Sequence, residues 1–269
     1  MLISVITVCR NAEKMMDKTL KSVLAMNFTD FEHIIIDGAS EDGTLAVIDK
    51  YSAEYAKKGI NLTILSEPDS GIYDAMNKGI RMAQGDWVML LNAGDAYHDG
   101  NVFNEIEQAT RRFRVDILAG NMIFQEGYLG RVYRSRKTNR MKEEMALMHP
   151  TMCVRRELYE AKPFSLDYKI SGDYEWSLYH YLHDAKIEII DIIMVDFDGN
   201  GISNKNRELA CRENFQIQRK YGLIGNDNPP RKPNIKSRIY KRIAYVKPLA
   251  KLYYKCASRT RSDIYYLDN

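Results

Sequence analysis

Phe31-Glu32-His33-Ile34-Ile35-Ile36-Asp37-Gly38 is an apolar run that ends abruptly in an acidic, glycine-bearing turn, and the chain repeats the device. Ile3-Ser4-Val5-Ile6-Thr7-Val8 runs into Cys9-Arg10-Asn11, and Leu62-Thr63-Ile64-Leu65 into Ser66-Glu67-Pro68-Asp69. Trp87-Val88-Met89-Leu90-Leu91 runs into Asn92-Ala93-Gly94-Asp95. Short runs of this kind read as strands buried on both faces. Between them the apolar spacing turns helical. Met16, Leu20, Val23 and Leu24 share a face in Ala12 to Met26; Thr44 to Tyr55 is a second helix; Ile72, Met76, Ile80 and Ala83 mark a third. Alternating strands and helices predict an α/β fold, a Rossmann-like, mostly parallel central sheet flanked by helices. Right-handed crossovers would align Cys9, Asp37, Ser66 and Asn92 along one edge of that sheet. Open α/β sheets bind ligands at this carboxyl edge.

Beyond residue 100 the pattern loosens. Val102 to Phe113 reads as a helix, Ile117 to Phe124 with Gly130 to Tyr133 as paired strands, and Arg134 to Glu144 as a polar, mobile loop. A strand is expected at Met148 to Val154, a helix at Tyr174 to Leu182, a strand at Lys186 to Val195 and a helix at Lys205 to Tyr221. Asn226-Asp227-Asn228-Pro229-Pro230 is the clearest linker. The expected organisation is one domain over 1–225, with halves 1–100 and 101–225, followed by a linker and basic helical tail over 226–269.

The 269 residues carry a net charge of +3, which hides an asymmetry. Between Arg231 and Arg261 there are eleven Lys and Arg and no acid, so the body is net negative and the end strongly basic. Ile235, Ile239, Ile243 and Val246 recur at helical spacing there, continued by Leu249, Leu252, Tyr253 and Cys256. This is the pattern of a helix lying in an anionic membrane interface; a helix docked on the acidic body explains it too. No module for reading bases accompanies the basic stretch, so nucleic acid is not an expected partner. Cys9, Cys153, Cys211 and Cys256 show no short repeated spacing and are expected as reduced thiols. The start lacks the basic leader of a secretory signal, and no apolar run reaches spanning length; the expected location is cytoplasmic.

Several chemistries are excluded by what is missing. There is no G-x-G-x-x-G after the first strand, no G-x-x-x-x-G-K-S/T, no G-x-S-x-G and no H-E-x-x-H. A nucleotide would have to be held by other means, most simply a divalent cation on a strand-end carboxylate. Asp95 is the natural ligand, with oxygen chemistry suited to Mg²⁺ or Mn²⁺.

The motifs themselves resemble family 2 glycosyltransferases of the GT-A type, in the bacterial branch that builds capsule, exopolysaccharide and O-antigen sugars. Ser4 to Asn11 resembles the family's first strand and loop, and Phe31 to Thr44 its acidic nucleotide-binding turn. Ser66-Glu67-Pro68-Asp69-Ser70-Gly71-Ile72-Tyr73-Asp74-Ala75-Met76-Asn77-Lys78-Gly79-Ile80 is similar to a long signature of this branch. Gly85 to Asp95 resembles the region of the metal-binding D-x-D, and His149-Pro150-Thr151 and Ser171 to Trp176 the acceptor-side segments. Two departures stand out. Asp37-Gly38 replaces the frequent Asp-Asp, and Asn92-x-x-Asp95 lacks the first carboxylate of D-x-D.

The resemblance implies inverting transfer of a sugar from a nucleoside diphosphate donor, UDP-linked by expectation, to a hydroxyl of a lipid-linked saccharide acceptor. Asp173 is the implied catalytic base and Asp95 the implied metal ligand, with Mn²⁺ or Mg²⁺ as cofactor. Thr7, Cys9, Arg10, Asn11, Asp37, Asp69, Gly71, Asp74, Lys78, Asn92, Ala93 and Gly94 are the implied donor contacts; His149, Arg134 and Trp176 would face acceptor or diphosphate. Residues 231–261 would hold the enzyme peripherally on an anionic membrane, at its inner face. Rival readings are a nucleotide-sugar or glycan-binding protein without turnover, a membrane-surface interaction protein, and a sugar nucleotidyltransferase.

Overall fold

The computed structural model describes residues 2–199, 201, 206–225, 243–258 and 261–267. The four expected strands form as β1 (Ile3–Cys9), β2 (Phe31–Asp37), β3 (Asn61–Ser66) and β4 (Trp87–Leu90). They are separated by α1 (Glu13–Leu24), α2 (Thr44–Lys58) and α3 (Ile72–Met82). The strands lie parallel in the order β3-β2-β1-β4. Every residue of β1, β2 and β4 is buried, which is why their sequences read as unbroken apolar runs, while the edge strand β3 is half exposed. The strand order reverses at β1, so a crevice opens outside the carboxyl ends of β1 and β4.

The chain continues through β5 (Ala96–Tyr97), α4 (Val102–Arg112), β6 (Ile117–Glu126), β7 (Leu129–Tyr133), β8 (Met152–Arg155), α5 (Arg156–Ala161) and α6 (Gly172–Leu182). Then come β9 (Ile187–Asp198), α7 (Arg207–Lys220), α8 (Lys247–Ala257) and β10 (Ile264–Tyr266). The sheet reads β10-β7-β6-β8-β4-β1-β2-β3, with β9 beside β6 and β5. Beyond β4 the pairing is mixed: β8 is antiparallel to β4, β6 is antiparallel to both β7 and β8, and β6 runs parallel to β9. A tight turn at Gly127, with φ +57°, joins β6 to β7 and leaves no room for the crossover that parallel strands need. One apolar cluster, including Met16, Ile48 and Phe103, packs α1, α2 and α4 on one face of the sheet. A second, including Met76, Tyr159 and Trp176, packs α3, α5 and α6 on the other. Helix α3 approaches β1 so closely that a Cβ at Gly79 would stand 2.4 Å from Ile6 Cγ2.

Three expectations change. Residues 134–144 are not a free loop: Thr138–Lys142 forms a 3₁₀ turn, Met141 is fully buried, and Arg136 and Arg140 both pair with Glu144. The strand expected from Met148 starts only at Met152, because His149–Thr151 is a 3₁₀ turn built around Pro150, which has no N–H for a ladder. The tail is not wholly an appendage. Its β10 pairs antiparallel with β7, and Ala244 and Ala250 are buried against Leu129. The linker 226–230 and the helical spacing of Ile235 and Ile239 lie outside the described residues. Among the described residues no helix is long and apolar enough to cross a membrane.

Candidate active site

Cys9, Asp37 and Ser66 are register partners on three adjacent strands, so the sheet itself brings them onto one rung at its carboxyl edge. Ser66 Oγ donates to Asp37 Oδ2 at 2.7 Å, Cys9 Sγ approaches Oδ1 at 3.7 Å, and the Ser40 N–H and hydroxyl close the ring. Burial works to raise the Asp37 carboxyl, but the hydrogen bonds from Ser40, Ser66 and Cys9 prevail and hold it below its ordinary range. Burial beside that carboxylate pushes the Cys9 thiol far up. Asp37 is therefore an anion enclosed by partners from its own turn and from both neighbouring strand ends, 0% exposed. Ala39 inside that loop takes φ +54°, a left-handed conformation that the surrounding bonds enforce. Thr7 points into the interior, hydrogen-bonded to His33 at 2.9 Å, and does not face the crevice. Arg10 and Asn11 are exposed at the mouth; Asn11 Oδ1 accepts from the Glu41 N–H and its own N–H donates to Ser40 Oγ, tying the first loop to the second.

The long signature around α3 divides into parts with different work. Asp69 Oδ1 accepts from the Gly71 N–H at 2.9 Å, and Asp74 Oδ2 accepts from the Ser70 N–H at 3.0 Å, so the loop before the helix is tied at both ends. Lys78 pairs with Glu67 at 2.8 Å and donates to the Pro68 carbonyl, and the Glu67 contact raises its pKa. Tyr73 and Asn77, four residues apart on one helix face, reach the second half of the chain. Asn77 makes a two-way bond with the backbone of Phe164, at 2.9 and 3.0 Å. Tyr73 donates to the Ile170 carbonyl at 2.6 Å and lies 3.1 Å from Asp173 Oδ1.

Asp173 stands in the first turn of α6 and is partly exposed. The loop leading to it is clamped from an element the sequence gave no reason to suspect. Glu213 of α7, 5% exposed, accepts from the backbone N–H groups of Lys169, Ile170 and Ser171 at 2.8 to 2.9 Å. Glu213 belongs to none of the motifs, so only the fold reveals it. His149 lies near enough to feel the Asp173 charge; burial lowers its pKa and Asp173 opposes the shift, and its Nε2 is buried without a hydrogen-bond partner among the described residues. Two further expected residues stand elsewhere. Trp176 is 1% exposed, stacked on Tyr159 and donating to the Lys162 carbonyl, so it is core and not a sugar platform. Arg134 is exposed and pairs with Asp191 of β9.

At the end of β4, Asn92 to Asp95 turn sharply, with Asp95 N–H on the Asn92 carbonyl and Gly94 at φ +98°. The Ala93 N–H is bound to the Val8 carbonyl, which fixes this loop against β1. Asp95 is 3% exposed, accepts from the Asp198 N–H at 2.9 Å, and burial pushes its pKa up to about 8. A Cβ at Gly94 would lie 3.2 Å from Asp198 Oδ2, so a carboxylate from the end of β9 stands beside this turn. Asn92 Oδ1 is buried with no hydrogen-bond partner among the described residues. No three His, Cys, Asp or Glu side chains converge as a cage among the described residues. A few oxygens from Asn92, Asp95 and Asp198, completed by diphosphate and water, nonetheless fit the way a hard divalent cation is held on nucleotides. Asp198 was missed because β9 runs three residues past the Val195 at which its apolar pattern ends.

Comparison with known proteins agrees with the architecture. Residues 4–161 match the model of glycosyl transferase family 2. A PGL/p-HBAD biosynthesis glycosyltransferase of Mycobacterium bovis is 23% identical over 207 residues, spanning 76% of this chain and 79% of that protein. Poly-beta-1,6-N-acetyl-D-glucosamine synthase of Staphylococcus epidermidis is 30% identical over 119 residues, 44% of this chain and 28% of the relative. Among solved structures, S. aureus TarS 1-349 in complex with UDP-GlcNAc superposes with a TM-score of 0.68 at 17% identity, covering 97% of this chain and 74% of the other. The Pyrobaculum calidifontis mannosyltransferase PcManGT in complex with GDP-Man and Mn²⁺ gives 0.65 at 18% identity, covering 97% and 76%. With the family model covering more than half of the chain, from the first strand through α5, the protein belongs to glycosyl transferase family 2 and is a glycosyltransferase of GT-A fold.

Proposed function

We propose that this glycosyltransferase moves a sugar from a UDP-linked donor to a hydroxyl of a lipid-linked glycan in one inverting displacement. The observation that carries the reading is Asp173, a partly exposed carboxylate held by Tyr73 at the junction between the donor loops and the second half. A sugar hydroxyl becomes a competent nucleophile when a positioned base takes its proton, and the proposal assigns that task to Asp173. A single displacement needs no covalent sugar on the enzyme and therefore one base, opposite the leaving group. When bound, a divalent cation would neutralise charge on the departing diphosphate. Asn92, Asp95 and Asp198 are the residues that would hold it, and Arg10 and Asn11 border the same crevice. The test is transfer from a panel of nucleoside diphosphate sugars, with the anomeric configuration of the product read by NMR. Retention of configuration, or turnover that persists in Asp173→Asn (D173N), would reject the mechanism. Donor turnover of any kind rejects the readings without catalysis, and release of pyrophosphate from a nucleoside triphosphate would favour the nucleotidyltransferase.

A separate observation supports attachment to an anionic membrane. Helix α8 is docked through Ala250, which is fully buried, while Leu249 and Leu252 are 48% and 60% exposed and Lys251 and Lys255 are exposed beside them. Apolar side chains and lysines on one outward surface suit a headgroup boundary, each basic residue near it contributing roughly 1 kcal/mol. Because β10 belongs to the sheet, truncation would damage the body, and Leu249→Glu with Leu252→Glu is the cleaner variant. Co-sedimentation with anionic vesicles should fall in the double variant and in high salt. Equal sedimentation with neutral vesicles would end the proposal.

A further inference from the structure

Ile170 is the residue on which two distant helices meet. Its N–H donates to Glu213 Oε2 of α7 at 2.9 Å, and its carbonyl accepts from the Tyr73 hydroxyl of α3 at 2.6 Å. Lys169 and Ser171 direct their N–H groups at the same Glu213 carboxylate, at 2.9 and 2.8 Å. Consecutive peptides thus converge on one buried anion just ahead of Asp173. The ordinary local device is missing here. Ser171, at the N-cap of α6, makes no side-chain cap bond, and its Oγ turns to the Ala210 carbonyl of α7 at 3.4 Å. Helix α7 also grips α6 itself: Lys220 and, just past the helix end, Tyr221 bond Glu175, which is 0% exposed. Glu213 lies outside residues 4–161, so the family model assigns it nothing.

We propose that Glu213 is a positioning residue for transfer: by fixing the peptides of residues 169–171 it sets where the Asp173 carboxylate meets the acceptor hydroxyl. This rests on the reading of Asp173 as the base and deepens it. A carboxylate only 5% exposed is costly to bury unless hydrogen bonds compensate its charge. The observed path of 169–171 supplies them, each charge-assisted and stronger than a neutral bond. A loop that drifts from this path leaves the anion uncompensated, so the clamp resists displacement. Such stiffness matters at a base, since a misplacement of about 1 Å at the reacting atoms lowers the rate about 10²-fold. Tyr73 holds the same loop by its hydroxyl on one carbonyl, and Glu213 holds it by a run of N–H groups, so α7 is the stronger anchor.

The experiment measures nucleoside diphosphate release by the full chain, with the panel donor that turns over, beside the thermal midpoint of each variant. Glu213→Ala should lower kcat about 10-fold or more, with the donor KM within about twofold of wild type. Glu213→Gln keeps one acceptor oxygen but turns an amide donor toward a peptide N–H, and should lie about threefold below wild type. Ile217→Val thins a fully buried contact of the same helix without touching the loop, and should lower the midpoint while kcat holds. The deciding variant combines Glu213→Ala with Asp173→Asn. If Glu213 acts through Asp173, the double variant is no slower than Asp173→Asn alone, although its midpoint falls further. A second loss of about 10-fold in the double variant overturns the assignment, as does a kcat loss in Ile217→Val equal to that in Glu213→Ala. A rise in donor KM large enough to account for the loss overturns it too. Should Glu213→Ala not fold, Glu213→Gln decides by the same rule, alone and with Asp173→Asn. Full turnover in Asp173→Asn, or none by wild type with any donor, sinks the base reading and this assignment together. An inactive Asp173→Asn beside a fully active Glu213→Ala sinks the assignment alone.

Discussion

The two halves of the molecule hold their working groups by different means. In the first half, β1 to β3 place their loops through neighbouring strands: a strand ends, the chain turns, and the rung Cys9–Asp37–Ser66 fixes the turn. In the second half, the Asp173 loop is held by side chains distant in sequence: Tyr73 from α3, Glu213 from α7. Local placement tolerates change in any one partner, because the ladder persists. Long-range placement concentrates the geometry in a few buried bonds. Variants in the two halves should therefore fail differently.

The largest effect belongs to Asp173. Its asparagine variant should lose about 10²-fold or more in transfer at saturating donor, the scale of a general base, with donor affinity near normal. A collapse of donor affinity instead would make Asp173 a nucleotide contact and erase the contrast between halves. Next comes the β4 end. Asp95→Asn (D95N) and Asp198→Asn (D198N) should each weaken Mn²⁺-dependent nucleoside diphosphate binding by about 10-fold, one charge-assisted ligand removed, with little change in thermal midpoint. Binding that is equally strong with and without Mn²⁺ in wild type would take the cation out of the account.

How much of this was legible follows the same division. The parallel strands, their order of appearance and the edge at which Asp37, Asp69 and Asp95 collect could be read because period and turn chemistry are local properties. Asp37 looked like a contact because an acidic residue at a strand end is one signal for two jobs. Only the bonds from Ser40 and Ser66 show that this carboxylate is already engaged. Trp176 and Thr7 read as site residues for their place in motifs, and burial assigns both to the interior. Glu213 and Asp198 were invisible since neither helix period nor strand pattern says which distant loop a carboxylate will meet. Asp198 is the instructive one: the D-x-D region lacks a carboxylate in sequence and has one beside it in space.

A middling effect concerns stability and tests the donor half alone. His33 is fully buried between Thr7 and Tyr55, and burial depresses its pKa from 6.5 to about 3. The folded chain refuses a proton that the unfolded chain accepts below pH 6.5, so stability is whole above that pH and falls as pH drops toward 3. At pH 5 the loss from this group alone is about 2 kcal/mol. His33→Gln, which keeps hydrogen-bonding capacity toward both hydroxyls, should lower the midpoint at pH 7 yet flatten its decline between pH 7 and 5. An unchanged decline would mean that acid acts first on the other half.

The smallest effect sits on the bond between the halves. Tyr73 is 6% exposed, and its ring packs so tightly on the next loop that a Cβ at Gly172 would stand 2.8 Å from it. That packing holds the loop before Asp173 whether or not the hydroxyl is present. Removing the hydroxyl in Tyr73→Phe leaves the Ile170 carbonyl without its 2.6 Å donor and Asp173 Oδ1 without a neighbour at 3.1 Å. The expected loss of stability is about 1 kcal/mol, the net worth of one buried hydrogen bond. Transfer should fall about fivefold in kcat, because Asp173 gains freedom to leave its productive position, while the donor KM stays put. Asn77→Ala severs another bond from α3 to the second half, to Phe164, and serves as the control. If Asn77→Ala lowers stability and Tyr73→Phe lowers stability and kcat together, the hydroxyl positions the base. If the two variants reduce kcat alike, α3 acts only as a clamp, and the position of Asp173 is set by Glu213 and the packing of Gly172.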